Sequence, residues 1–251
     1  MVTIRKPSVI LLDIEGTTTD IGFVSKTLFP FIKANIGNYF NEAYNRVECQ
    51  ELIQRLRESQ DSDRTDLPRV ASVGEPRDDI IRSVTNYALA NINIKRRISE
   101  IKQLQILVWV WGYDKQLLKG HVYDEVTSRM HVWKHHDHIK LYVFSSGMIA
   151  AQQLLLCCTN HGNCLPLITD FFDSSVGEKT DPKSFSNISA KIGQPLSRML
   201  FITDSPQEAQ AARQAKCQAA IIKRPNNKLK GIDASKIGIP IISSFDDIHF
   251  N

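Results

Sequence analysis

Val9-Ile10-Leu11-Leu12-Asp13-Ile14-Glu15-Gly16-Thr17 decides the reading of this chain: four aliphatic residues run straight into two carboxylates one residue apart. An unbroken apolar run of that length suits a central parallel strand buried on both faces. Gly16 lets the backbone turn sharply where the strand ends. Open α/β sheets place ligands beyond the carboxyl ends of their strands, which is where Asp13 and Glu15 fall. Positions two apart on a strand face the same way, so both acids address one site. The plainer alternative makes Asp13 a turn residue and Glu15 a solvated charge.

Three later stretches repeat the pattern and weaken that alternative. Residues 139–144 form a second apolar run, closed by Ser145-Ser146-Gly147. Residues 199–203 form a third, closed by Asp204. Between them Lys179-Thr180-Asp181-Pro182 reads as a loop entering a helix. The ordered set of acid pair, serine, lysine and acid resembles the four motifs of the haloacid dehalogenase superfamily of phosphotransferases. Glu15 narrows the resemblance, because most phosphatases of that superfamily carry aspartate there. Asp13-Ile14-Glu15-Gly16-Thr17 and the double serine 145–146 resemble the enolase-phosphatase family of methionine salvage. Further similarities are Ala151-Gln152-Gln153-Leu154-Leu155, Gly112-Tyr113, 118–123, 201–204 with Glu208-Ala209, and Lys223-Arg224-Pro225-Asn226-Asn227. Ile106, Trp111 and Gln116 depart from the family pattern, Gln116 standing where a glycine is usual.

That resemblance implies roles for individual residues. Asp13 is expected to be the nucleophile that carries an aspartyl-phosphate. Glu15 would protonate the leaving oxygen and then activate the hydrolytic water. Ser145 and Lys179 would bind the phosphoryl oxygens, and Ser146 would reach the rest of the substrate. One Mg²⁺ per chain is expected on Asp13, the main-chain carbonyl of Glu15 and Asp204. The implied reaction is enolisation and then dephosphorylation of 2,3-diketo-5-methylthiopentyl-1-phosphate to 1,2-dihydroxy-3-keto-5-methylthiopentene. Glu15 and Lys179 are both candidates for taking the enolisation proton. The competing readings are a phosphatase for another small phosphate monoester and a binding module that has kept the fold without the chemistry. The complete set Asp13, Glu15, Lys179 and Asp204 argues against the last.

Between the first and second motifs the apolar spacing is helical: Phe23 to Tyr44, Cys49 to Leu56, a helix opened by Glu75-Pro76, and Ile98 to Val110. Residues 59–66 read as a polar loop. A helical block inserted there is a cap, expected to close over substrate; it spans 20–121, with the catalytic core formed by 1–19 and 122–251. After Gly147 helix and strand alternate: helix 149–158, strand near 167–172, helix 184–192, strand 199–204, helix 206–215 and strand 218–222. The expected fold is an α/β doubly wound parallel sheet, Rossmann-like, with the helical cap after its first strand.

Bulk properties limit the partners. The chain has 251 residues, 42% hydrophobic and 23% charged, and a net charge of +4, too mild and too dispersed for a nucleic-acid surface. A small anionic phosphate substrate suits it, and a monomer is expected. No apolar run approaches a membrane span and residues 1–8 lack a signal segment. Five cysteines without a regular framework fit a reducing compartment, so a cytoplasmic location is expected, with the nucleus open to a protein of this size. His131 and His135 share a helix face as zinc ligands can, but no acid and third ligand follow, so His131, His135, His136 and His138 read as a solvated helix end. Cys157, Cys158, His161 and Cys164 lack the usual zinc-ligand spacings and read as core or helix-end residues.

Overall fold

In the computed structural model, which describes residues 1–60, 66–96, 98–227 and 238–251, a six-stranded parallel sheet carries the molecule's core. A separate pair joins the chain ends: β1 (Val2–Ile4) lies parallel to β8 (Ile248–Phe250). The main sheet contains β2 (Val9–Leu12), β3 (Lys140–Phe144), β4 (Asp170–Phe172), β5 (Met199–Thr203), β6 (Gln218–Ile222) and β7 (Ile241–Ile242). Its order is β4-β3-β2-β5-β6-β7. The chain leaves β2 for a neighbour on one side and later returns to its other side. That reversal is the switch point of a doubly wound sheet, flanked by β3 and β5. Leu12 is in register with Val143 on one side and Ile202 on the other, so the three strands end level.

Every residue of β2 is fully buried, which explains why its sequence shows no alternation. One face of the sheet packs Val9, Leu11, Phe144 and Phe201 against Phe185 and Ile188. Phe144, Phe185 and Phe201 meet edge-on or tilted at 5.1–6.2 Å between centroids. Truncating a ring in such a cluster costs about 3–5 kcal/mol, so the strand ends that carry the site rest on a rigid base.

The described residues separate into two compact units, Met1–Val24 with Lys119–Asn251, and Ser25–Leu118. The second is helical: α1 (Phe29–Ala43), α2 (Val47–Glu58), α3 (Arg77–Asn93) and α4 (Ser99–Asp114). Trp109 and Trp111 of α4 are both buried there. Trp109 Nε1 donates to the Leu28 carbonyl at 3.2 Å, and Trp111 Nε1 donates to Glu42 Oε2 at 3.1 Å. α4 ends on Gln116 at φ +58, while the Leu117 and Leu118 amides both donate back to the Gly112 carbonyl. That is a left-handed helix stop, the conformation glycine fills without strain. Five residues of the polar loop expected at 59–66, namely 61–65, lie outside the described residues.

In the first unit the helices are α5 (Asp124–His131), α6 (Ile149–Cys157), α7 (Pro182–Ile192) and α8 (Pro206–Gln214). Asp181 and Ser205 cap α7 and α8 with side-chain oxygens, each followed by proline at the first helical position. Two details differ from the sequence expectation. The strand expected near 167–172 begins only at Asp170, because Pro166 draws 165–167 into a 3₁₀ turn. The β1–β8 pair was not foreseen, since three-residue strands are too short to show a period. His131 and His135 stack on each other at an exposed helix end. Among the described residues, no group of three His, Cys, Asp or Glu side chains is arranged to hold a metal, and all five cysteines are free.

Candidate active site

The site forms because three strands stop level and each is followed at once by a polar residue. Asp13 follows β2, and its amide donates to the Ile202 carbonyl at 3.0 Å, extending the ladder by one bond. Ser145 follows β3 and Asp204 follows β5. Gly16 turns the chain at φ +81. A Cβ there would stand 2.4 Å from Asp204 Oδ2, so only glycine lets the turn lie against that carboxylate. Lys179 comes from the loop before α7. Gly177, at φ +120 and with its Cβ position 2.3 Å from Ser184 Oγ, lets that loop press close to the helix.

All six residues singled out from the sequence, Asp13, Glu15, Ser145, Ser146, Lys179 and Asp204, line one cleft of about 240 Å³. Asp13 is almost fully buried, and both its oxygens are held. Lys179 Nζ donates to Oδ1 at 2.6 Å and Thr17 Oγ1 donates to Oδ2 at 3.0 Å. Ser145 is half-buried and Ser146 exposed at the cleft's edge. Three further residues belong here that sequence reasoning gave no role. Glu208 pairs with Lys179 at 2.9 Å and accepts from Thr203 Oγ1 at 2.7 Å. Thr17 grips the Asp13 carboxylate. Asn227 Nδ2 donates to the Gly16 carbonyl at 2.7 Å and to Asp204 Oδ2 at 3.0 Å. All three fall inside segments that resemble the enolase-phosphatases, which was the available signal.

The electrostatics are those of a crowded anionic pocket. Burial, then the Asp13 charge, raises the Glu15 carboxyl above its ordinary value. Burial, then Asp13 and Glu208, pushes Asp204 up to about 7. Burial alone would lower the Lys179 ammonium, but Asp13 and Glu208 more than offset it, so Lys179 stays charged. Glu208 too is raised, by burial first and Asp13 second. Four carboxyls therefore crowd around a single lysine, and a further cation beside them would offset their mutual repulsion. Buried Asn227 also leaves Oδ1 without a donor among the described residues. The carboxylates of Asp13 and Asp204 with the main-chain carbonyl of Glu15 suit Mg²⁺, which takes few protein oxygens and keeps several waters.

Comparison with known proteins gives the family. The family model for haloacid dehalogenase-like hydrolases matches residues 7–216. The chain is 38% identical to "Enolase-phosphatase E1" of Xenopus tropicalis over 247 residues, covering 97% of this chain and 95% of that one. It is 34% identical to the Drosophila melanogaster protein of the same name, covering 98% and 94%. The crystal structure of the UTR4 protein of Saccharomyces cerevisiae superposes with a TM-score of 0.76 at 23% identity, covering 96% of this chain and 99% of that one. The chain belongs to the haloacid dehalogenase-like hydrolases and, within them, to the enolase-phosphatase E1 family.

Proposed function

We propose that this chain is an acireductone synthase: it enolises 2,3-diketo-5-methylthiopentyl-1-phosphate and then hydrolyses the phosphate ester to release 1,2-dihydroxy-3-keto-5-methylthiopentene. The observation that carries the reading is the pairing of Asp13, fixed at both oxygens, with Glu15, whose carboxyl is raised, in one cleft with Lys179 and the double serine.

Enolisation takes a proton from the carbon beside a carbonyl. Lys179 is held charged by Asp13 and Glu208, which leaves Glu15 as the base. Glu15 then holds the proton that the leaving oxygen needs. Asp13 attacks phosphorus, the bond to the enol oxygen breaks, and Glu15 protonates that oxygen. Glu15, again a carboxylate, takes a proton from water and afterwards passes it to the C2 oxygen that enolisation left as an enolate, which completes the dihydroxy product and resets Glu15. The hydroxide attacks the aspartyl-phosphate, freeing Asp13 and inorganic phosphate. Lys179 and the Ser145 hydroxyl steady the phosphoryl oxygens throughout. Ser146, more exposed, contacts the rest of the substrate. Hydrolases of this family generally use Mg²⁺. One ion per chain would be held by Asp13, Asp204 and the Glu15 carbonyl, and would supply neutralisation of the charge gathered at phosphorus.

The helical insertion serves as the cap that selects the substrate. The enzyme works as a monomer in the cytosol, with the nucleus open to it; five free cysteines favour such a reducing setting. Among the described residues no helix is long and apolar enough to cross a membrane. The test is turnover of the diketone phosphate with Mg²⁺, following ultraviolet absorbance of the enol and free phosphate in one sample. Both signals are expected, and both should vanish in excess chelator. Phosphate release with no enol signal at any time would leave a plain phosphatase in place of this reading.

A further inference from the structure

We infer that the segment directly after β6, Arg224 to Asn227, is a positioning brace that fixes the nucleophile and its neighbouring acid by gripping the turn between them. The inference rests on the proposed phosphoryl transfer to Asp13 and adds residues that never touch the substrate.

Arg224 is 3% exposed although it carries a full charge. Taking a guanidinium out of water is unfavourable unless its donors and faces are all occupied. Here they are. Nε and Nη2 both donate to the single carbonyl of Thr17, at 2.9 and 2.8 Å. Nη1 donates to Glu125 Oε1 at 2.5 Å. The Tyr123 ring lies 4.0 Å from the guanidinium carbon and the Phe245 ring 5.4 Å from it. A planar group set against two rings, with two N–H groups on one carbonyl, fixes both the place and the tilt of that peptide.

What it sets is one residue from the chemistry. Thr17 is fully buried, and its own hydroxyl holds Asp13 Oδ2. Asn227 grips the preceding carbonyl, Gly16, and through the same amide group grips Asp204. Asn226 Nδ2 donates to Asp20 Oδ2 at 2.7 Å, tying down the far side of the turn. Thus Arg224 governs the orientation of the nucleophile, and Asn227 governs the carboxylate proposed to hold the cation. Neither touches a reacting atom. Misplacing a reacting group by about 1 Å costs on the order of a hundredfold in rate, so a loosened brace shows first in turnover.

The two arms predict different defects, which mere loss of stability would not produce. Arg224→Lys keeps the charge beside Glu125 but cannot place two donors on one carbonyl. In folded variant, kcat should fall at least tenfold, with KM and the Mg²⁺ affinity measured by calorimetry each within threefold of wild type. Asn227→Ala frees Asp204, and loss of such a supporting bond typically costs 10–100-fold in metal affinity; its Mg²⁺ affinity should fall at least tenfold. Where Arg224→Lys does not fold, Glu125→Gln takes its place, with at least a threefold fall in kcat at unchanged KM. Turnover is read with the diketone phosphate. If wild type ignores the diketone yet hydrolyses p-nitrophenyl phosphate, the proposed substrate fails while the brace is still read with that ester. A folded Arg224→Lys (or its replacement) within twofold of wild-type kcat overturns the inference. So do losses of kcat and Mg²⁺ affinity that run in parallel in both variants and track their melting temperatures.

Discussion

Asp204→Asn should make the metal-free protein more stable, because the site is built around a charge that the chain alone cannot balance. Asp204 is pushed from 3.8 up to about 7 by burial first, then by Asp13 and Glu208. A group raised in the folded state contributes fully below its unfolded value and loses that contribution as pH rises through the folded one, here between about 4 and 7. At pH 8 the shift corresponds to an order-of-magnitude cost of about 4 kcal/mol. The carboxylate is partly exposed, and solvent screening reduces this to roughly 2 kcal/mol. Asparagine keeps the shape and an oxygen for the Asn227 donor but carries no charge. For a chain of this size each kcal/mol moves the melting temperature by roughly 2–4 °C. Thermal melts in chelator at pH 8 should therefore place the variant roughly 4–8 °C above wild type, and by less than half that at pH 5. Adding Mg²⁺ at pH 8 should raise wild type more than the variant, since only wild type gains the full ligand set. A variant that melts at or below wild type at pH 8 without metal would refute the account of an overcharged pocket.

Asp13→Asn should retain substrate but lose phosphate release by on the order of a thousandfold or more, checked in a phosphate assay; a tenth of normal turnover would remove Asp13 from its role. Ser145→Ala should slow hydrolysis by roughly 10–100-fold while sparing enolisation, so the enol absorbance builds up ahead of free phosphate. Glu15→Gln should abolish both signals together, because one carboxylate serves both steps; a variant that still enolises at the wild-type rate assigns that proton elsewhere. Gln116→Gly, outside the site, should raise the thermal stability of the helical unit by about 1 kcal/mol, because Gln116 stops α4 at φ +58 where glycine carries no strain; an unchanged or lowered melting temperature would contradict this.

The residues that follow buried strands were legible in the sequence because burial and chemistry are adjacent there. Val9 to Leu12 and Met199 to Ile202 show no polar break, and a carboxylate of the site follows the first at once and the second after Thr203. Lys179 sits on no strand, and it was found through order and resemblance rather than through periodicity. Glu208 and Asn227 escaped a role for a physical reason: each acts on a partner that exists only once the sheet has closed. Asn227 meets the Gly16 carbonyl across 211 positions of chain, and no local pattern marks a main-chain oxygen as a partner. Arg224 was named only inside a stretch of family resemblance, because nothing local in the sequence marks a cation that the fold will enclose. The same holds for β1 and β8, which are strands only because the two ends of the chain meet.

The most direct test of the central claim is to catch the phosphorylated carboxylate. Enzyme turning over the diketone phosphate with Mg²⁺ would be quenched, treated with borohydride, which reduces an acyl phosphate to an alcohol, and mapped by mass spectrometry. Reduction at position 13, with Asp20 and Asp204 unchanged and no reduction when substrate is omitted, is the predicted result. Phosphate release at full rate with Asp13 never reduced would show water attacking the ester directly, and would contradict the mechanism.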